Sequence, residues 1–339
     1  MRVSDFDYCL PDELIAQEPL ECRDASRLMV LHRQDGTIEH RTFRDLPEYL
    51  RPDDVCILND TRVIKARLKG QKSTGGTIWV LLLRPQQPDV WEALVKPGRK
   101  AAVGTVLQFG DSLQGVILDR TEQGGRLIRL VSEEPLDKAI ESAGEVPLPP
   151  YIKKRLLDEE RYQTVYAGRP GSVAAPTAGL HFTQQILATL QSKGVSVGHI
   201  TLHVGLGTFR PVSVDTVEQH TMHAEYYHVD ESCAHIISGA RRSGARVLAV
   251  GTTVARTLES VGTSSGEVRP GSGWTSVFIY PGYEWKVVDI MLTNFHLPKS
   301  TLLMMVSALA GRENILRAYE EAVAQRYRFF SFGDAMLIL

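Results

Sequence analysis

Between about Arg62 and Val146 the chain changes its grammar. Short β-rich runs at Thr77–Leu83, Val90–Val95, Val106–Phe109, Leu113–Leu118 and Leu127–Val131 are separated by Gly, Pro and Asp turns. Strands at that spacing suggest a small barrel or sandwich. On both sides the pattern is mixed. Gln184–Lys193 reads as a helix with Thr183 as its N-cap and Gly194 just past its end, followed by an alternating strand over Val195–Val204. The same alternation recurs at Ala245–Val250, an apolar strand running through Gly251-Thr252-Thr253 into a helix over Val254–Val261. Further elements are expected at Val277–Tyr280, Val287–Met291 and Ser300–Ala310, the last capped by Ser300 and stopped by Gly311.

Because the N-terminal sixty residues are also mixed, the pattern predicts a discontinuous mixed α/β domain (1–61 and 149–339) carrying an inserted all-β barrel-like domain (62–148). Pro147-Leu148-Pro149-Pro150 marks the return crossing. A length of 339 residues agrees with about two domains at roughly 150 residues each. With 43% hydrophobic and 23% charged residues, the composition excludes wholesale disorder.

The first residues, Met1-Arg2-Val3-Ser4-Asp5, lack the basic-then-apolar pattern of a leader. The most apolar window, Leu302–Ala310, is about half of the roughly 20 residues a membrane span needs. A soluble cytoplasmic protein away from membranes is expected. Cys9, Cys22, Cys56 and Cys233 lie far apart, so neither a zinc knuckle nor a disulfide framework is written here. A net charge of −2 leaves room for a local basic face but excludes a chain that is basic throughout.

Several residue groups can carry chemistry. His199, Thr201 and His203 alternate with Ile200, Leu202 and Val204, so a strand here turns both imidazoles to one face, unless it is simply half-exposed with solvated histidines. Gly205 and Gly207 then let backbone approach a ligand. His220, His223 and Glu225 stand within six positions, next to Tyr226, which suits proton transfer better than a metal, since no third ligand at recognised spacing accompanies the pair. Gly251-Thr252-Thr253 at a strand-to-helix junction favours an anion such as a carboxylate, although such turns are also common connectors. No G-x-G-x-x-G or Walker sequence follows any strand. Arg62, Lys65, Arg67, Lys69 and Lys72 form a basic stretch without an acid, which either tracks a phosphate backbone or is a solvated strand face.

Four stretches carry a resemblance: Gly171–Phe182, Thr201–Val212 (TLHVGLGTFRPV), Thr293–Leu303 (TNFHLPKSTLL) and Tyr327–Met336 (YRFFSFGDAM). Together with Leu10-Pro11, Ser26-Arg27-Leu28-Met29 and Leu58-Asn59-Asp60-Thr61-Arg62, they resemble the S-adenosylmethionine:tRNA ribosyltransferase-isomerase family of queuosine biosynthesis over nearly the whole chain. The resemblance implies an α/β domain with an inserted β-barrel. It also implies an enzyme that moves the ribosyl part of S-adenosylmethionine onto 7-aminomethyl-7-deazaguanine at the tRNA wobble position, leaving epoxyqueuosine, adenine and methionine. No metal and no cofactor beyond the consumed S-adenosylmethionine is implied, and a monomer is expected. Lys65, Trp79, Arg84 and Val254-Ala255 depart from the family's usual residues.

On that reading His203, His220, His223 and Glu225 handle protons, and Thr252, Thr253 and Arg256 hold the methionine carboxylate. Pro176, Thr177, Gly179, His181, Asn294, His296 and Ser300, with Gly205 and Gly207, wall the donor pocket. Lys153, Lys154 and Arg155 join the basic stretch in gripping the anticodon loop, whose bases can be splayed out and read singly. Two rivals remain: an S-adenosylmethionine-dependent tRNA methyltransferase, and a non-catalytic RNA-binding protein.

Overall fold

The computed structural model describes residues 1–121, 124–205 and 212–339. Strands β1 (Arg27–Leu31), β2 (Ile38–Thr42) and β3 (Val55–Asn59) precede the β-rich block. The block supplies β4 (Arg67–Lys72), β5 (Thr77–Gln87), β6 (Val90–Lys96), β7 (Val106–Phe109), β8 (Leu113–Arg120) and β9 (Arg126–Ser132). After it come β10 (Ser196–Leu202), β11 (Glu225–Val229), β12 (Val247–Val250), β13 (Gly271–Thr275), β14 (Ile290–Asn294) and β15 (Ala335–Ile338). The helices are α1 (Leu136–Ala143), α2 (Gln184–Ser192), α3 (Glu231–Ser243), α4 (Thr252–Val261), α5 (Thr301–Ala310) and α6 (Arg312–Ala324). The chain divides into two compact units: 1–61, 150–169 and 175–339 form one, and 62–149 with 170–174 the other.

The first unit is α/β. Its sheet runs β13-β11-β10-β3-β12-β14-β15-β1-β2, and the central four strands, β10, β3, β12 and β14, are parallel. Val55–Asn59 and Val247–Val250 are buried at every position, as parallel strands covered on both faces must be. Cys56, Leu58, Leu248, Val250, Ile290 and Leu292 meet Phe43, Leu46, Phe182 and the Ile186/Leu190 face of α2. Helices α3 and α4 pack on β10, β3 and β12. The expected caps are present: Thr183 Oγ1 accepts from the Ile186 N–H at 3.2 Å, and Ser300 Oγ from Leu303 at 3.2 Å.

The second unit contains a closed antiparallel barrel in the order β4-β5-β6-β9-β8-β7. The circle closes where β4 pairs with β7 through Gly70–Phe109, Gln71–Gln108 and Lys72–Leu107. Closure removes the exposed edges that a six-stranded open sheet would carry. Leu68, Ile78, Val80, Leu82, Leu107, Phe109, Ile117 and Ile128 fill the interior. The barrel-like fold expected from the turn spacing is thus present, with one strand more: Arg67–Lys72, inside the basic stretch.

One expected element is absent. Val277–Tyr280 forms no strand, because the sheet edge is completed earlier by β13, which pairs with β11 over Glu225–Val229. The Val277 carbonyl instead accepts from Arg256 Nε at 3.2 Å.

Candidate active site

The four parallel strands end along one edge of the α/β sheet, and ligands of such sheets bind outside that carboxyl edge. Asn59 closes β3 there, fully buried. Its Nδ2 donates to the Leu202 carbonyl at 3.0 Å and to Thr253 Oγ1 at 3.3 Å, while Oδ1 accepts from the Leu202 N–H at 3.0 Å and the Thr61 N–H at 3.2 Å. One amide therefore ties the ends of β3 and β10 to the start of α4. Gly251 makes the turn from β12 into α4 at φ +92°, a conformation other residues adopt only with strain. No side chain caps α4, so the positive helix end beside Thr252 and Thr253 suits an anion.

A second chain of contacts crosses the end of β14. Thr177 Oγ1 donates to Asn294 Oδ1 at 3.0 Å, Asn294 Nδ2 lies 3.1 Å from His181 Nε2, and His181 Nδ1 lies 2.7 Å from Ser26 Oγ. With the amide donating to Nε2, the imidazole proton sits on Nδ1 and points to Ser26. Burial lowers the His181 pKa to about 3, helped by the charge of Arg328. His296 is likewise neutral, its pKa lowered to about 3 by burial, with Nε2 2.9 Å from Thr293 Oγ1 and its backbone N–H donating to the Tyr319 hydroxyl at 3.0 Å. Pro176 opens the short turn Thr177–His181. Gly179 in that turn has no room for a side chain, since a Cβ would lie 2.0 Å from the Tyr166 hydroxyl.

The third group gathers around β10 and β11. His203 Nδ1 meets Thr61 Oγ1 at 2.7 Å, its ring stacks on Tyr226 at 5.9 Å, and Tyr226 meets Trp274 edge-on at 5.7 Å. Asp60 accepts from Thr201 Oγ1 at 2.6 Å and pairs with Arg169 at 3.5 Å. Burial holds His203 and His199 below the usual imidazole range, against the pull of Asp60. His220 lies against Phe278 at 5.2 Å, and its pKa is lowered by burial and then by His223.

Arg256 and Glu225 face each other. Both are about 4% exposed, and they form a close ion pair. Arg256 also donates to the carbonyls of Thr275 (3.4 Å) and His223 (3.5 Å), and Glu225 accepts from the Gly205 N–H at 2.9 Å. The sequence reading gave Arg256 to a ligand carboxylate; the fold gives it a carboxylate of its own. Ser300 is likewise occupied, capping α5 and donating to Leu297 O at 2.7 Å. Gly207 lies outside the described residues.

Among the basic candidates, Arg67 and Lys69 are exposed on the barrel's outer face, Lys65 pairs with Glu141 at 3.2 Å, and Lys72 Nζ donates to the Lys100 carbonyl at 2.8 Å. Arg62 is half-buried. Lys69, Trp79 and Lys96 stand in register across β4, β5 and β6, with the Arg67 guanidinium 4.4 Å from the Trp79 ring centroid. Lys153, Lys154 and Arg155 are exposed on the α/β unit, Lys154 pairing with Glu18 at 3.1 Å.

The model of a family described as queuosine biosynthesis protein matches residues 3–338. The chain belongs to this family. Proteins named S-adenosylmethionine:tRNA ribosyltransferase-isomerase from Symbiobacterium thermophilum, Pelotomaculum thermopropionicum and Desulforamulus reducens are 61%, 57% and 56% identical to it, each comparison covering 100% of both chains. A solved structure, the S-adenosylmethionine tRNA ribosyltransferase of Thermotoga maritima, is similar at 42% identity and a TM-score of 0.58, over 99% of this chain and 100% of that one. The chain is an enzyme of the ribosyltransferase-isomerase class.

Asn59, Asp60, Thr61 and Ser26 join the site although sequence reasoning assigned them no role, and Tyr226, seen in sequence only as a neighbour of the His/Glu group, stacks on His203. The Leu58-Asn59-Asp60-Thr61-Arg62 run was the available signal: three polar residues directly after an apolar strand.

Proposed function

We propose that this enzyme transfers and isomerises the ribosyl moiety of S-adenosylmethionine onto 7-aminomethyl-7-deazaguanine at the wobble position of a tRNA. The products are epoxyqueuosine in the RNA, free adenine and methionine. The observation that carries this reading is full-length likeness, in both directions, to relatives named S-adenosylmethionine:tRNA ribosyltransferase-isomerase. S-adenosylmethionine is the consumed ribosyl donor, and no further cofactor enters the scheme.

The sulfonium acidifies the adjacent ribose 5′ carbon, so a neutral, positioned base can remove a proton there. Adenine then departs with a proton, the RNA amine attacks, and methionine leaves. His203 suits the first task. With Thr61 Oγ1 donating to the Arg169 carbonyl (3.5 Å) and accepting from Nδ1–H, Nε2 carries the free lone pair. His220 and His223, within reach of each other's charge, are assigned the relay of protons to and from adenine and the amine. The Glu225–Arg256 pair holds this segment: Glu225 fixes Gly205, and Arg256 fixes the backbone at His223. Thr252 and Thr253 at the start of α4 receive the donor's carboxylate, and Thr177 and Asn294 bound the nucleoside, with His181, His296 and Gly179 as a rigid backing and Pro176 setting the turn. Arg67, Lys69 and the Lys153–Arg155 segment meet the RNA backbone, with Arg62, Lys65 and Lys72 adding to the field.

The test is product analysis with tRNA carrying the aminomethyl precursor and S-adenosylmethionine labelled separately in the ribose and the methyl group. Ribose label in RNA with free adenine and labelled methionine supports the reading. Methyl label in RNA with the nucleoside intact identifies a methyltransferase, and binding without turnover identifies an RNA-binding module.

A further inference from the structure

We propose that a recess in the α/β unit, lined by Arg23, Ser26, Arg161, His181, Ser331 and Gly333, is an oxyanion subsite for one backbone phosphate of the RNA substrate. The inference rests on the reading that RNA is the acceptor.

The recess has about 20 Å³ of room for solvent-sized groups, enough for about one phosphate oxygen. Among the described residues its two guanidinium groups are anchored through backbone carbonyls. Arg23 donates to Leu180 O and Glu160 O, both at 3.1 Å, and Arg161 to Glu21 O at 2.9 Å and Leu20 O at 2.6 Å. Arg328, whose charge reaches His181, is held in the same manner by Glu18 O. Among the described residues none of the three forms an ion pair, and Arg161 Nε and Arg328 Nη1 are buried without a hydrogen-bond partner. Burial and the neighbouring charge of Arg161 lower the Arg23 pKa, outweighing Asp158 and Glu160. Asp158 and Glu160 offset Arg23 only in part and Asp334 acts on Arg328, but guanidinium groups brought together, partly desolvated and left with buried unmet donors call for an anion.

The turn that supplies Ser331 and Gly333 starts at Phe330, a non-glycine residue at φ +69°. Such strain persists where surrounding structure imposes it, and here it brings the turn onto the arginines.

A phosphate fits better than the carboxylate of the small donor. His181 stands between the recess and the strand-end crevice, its Nδ1 on Ser26 and its Nε2 on Asn294, so a donor bound at the strand ends does not reach the arginines. From the recess, contacts run outward instead. Ser331 bonds Tyr151 at 2.6 Å, and Gln17 bonds both the Tyr151 carbonyl (3.0 Å) and the Lys153 N–H (2.9 Å), leading to the exposed Lys153-Lys154-Arg155 segment. A chain of phosphates arriving along that surface places one in the recess.

The experiment measures affinity of the full chain for tRNA carrying 7-aminomethyl-7-deazaguanine, between 50 and 200 mM salt (roughly the range over which phosphate contacts are read), and separately for S-adenosylmethionine. Arg161→Gln and Arg23→Gln are each expected to weaken tRNA about 5- to 10-fold and to flatten the log–log salt slope by about 0.7–0.9, one phosphate's worth, with affinity for S-adenosylmethionine unchanged. Unchanged tRNA affinity and slope would make the arginines purely structural and overturn the proposal. A raised dissociation constant for S-adenosylmethionine with an intact tRNA slope would overturn it in favour of a carboxylate subsite. Should Arg161→Gln not fold, the Nε–H resonance of Arg161 in the wild-type chain serves: it should shift on adding the tRNA, and a resonance that stays put at saturation sinks the idea. Turnover by the wild-type chain, assayed in parallel, separates failure of the subsite from failure of the proposed function.

Discussion

Replacing Arg256 by Met removes one half of a buried ion pair and strands the other. Glu225 is about 4% exposed and would lose its guanidinium partner while still accepting from the Gly205 N–H at 2.9 Å. Breaking such a pair from one side costs about 3–5 kcal/mol, because a charge is left without its counter-charge away from water. Arg256→Met also frees the carbonyls of Val277, Thr275 and His223, so the upper part of that range is expected. At about 2–4 °C per kcal/mol for a unit of this size, the melting temperature of the α/β unit should fall by about 10 °C or more. Trp274 and Trp285 report that unit by fluorescence once Trp79 and Trp91 are replaced by Phe. Glu225→Leu alone should be similarly harmful, but the double variant should recover about 2–3 kcal/mol of the summed loss, the coupling of groups in direct contact. It will not recover everything, since the three carbonyls remain unmet. Arg256→Met within about 1 kcal/mol of wild type, together with markedly weakened S-adenosylmethionine binding, would refute the argument: Arg256 would then be a ligand's cation, as the sequence alone suggests, and its position against Glu225 only a resting one.

Three further outcomes follow from the same geometry. Burial keeps His181 and His296 neutral in the folded chain, with pKa values of about 3, whereas the unfolded chain protonates both below about pH 6.5. Unfolding therefore takes up two protons, and stability is lost as pH falls from about 6.5 towards 3, at about 2.7 kcal/mol per pH unit from this pair. Urea midpoints across that window should show it, and His296→Gln should reduce the slope by about one proton; an unaltered slope contradicts the assignment. His203, held below the usual imidazole range, predicts a kcat/KM that falls only below about pH 6.5, and His203→Gln should lower kcat about 100-fold or more with little change in donor affinity. A loss under about 3-fold removes His203 as the base. Gly179→Ala forces a Cβ to within 2.0 Å of the Tyr166 hydroxyl and should destabilise by about 1–3 kcal/mol. That hydroxyl is buried without a partner among the described residues, so Tyr166→Phe should be neutral or stabilising by thermal melting and should relieve part of the Gly179→Ala loss.

What the amino-acid order reveals here depends on how local the cause is. Most of the barrel was legible because alternation within a strand and a turn after it are both local, and five of its six strands stand where alternation puts them. The sixth, Arg67–Lys72, hid because only Leu68 and Gly70 face inward, and a glycine in the interior carries no apolar signal. Val277–Tyr280 misled for the opposite reason. Val-Phe-Ile-Tyr has every residue a strand favours, yet strand pairing needs a partner backbone, and the Val277 carbonyl is taken by a guanidinium twenty-one positions earlier in the chain. The same distinction runs through the site. His220, His223 and Glu225 could be read together because they lie within six positions. Asn59, which holds two strand ends and the start of α4 together, looks in sequence like the polar residue that ends an apolar strand. Arg256 looks like any cation near a helix start until β11 brings Glu225 against it. Residue types thus limit which chemistry is available, but whether a charged group serves a ligand or the fold is decided by what the sheet topology sets opposite it, and for Arg256 that is a carboxylate thirty-one residues away.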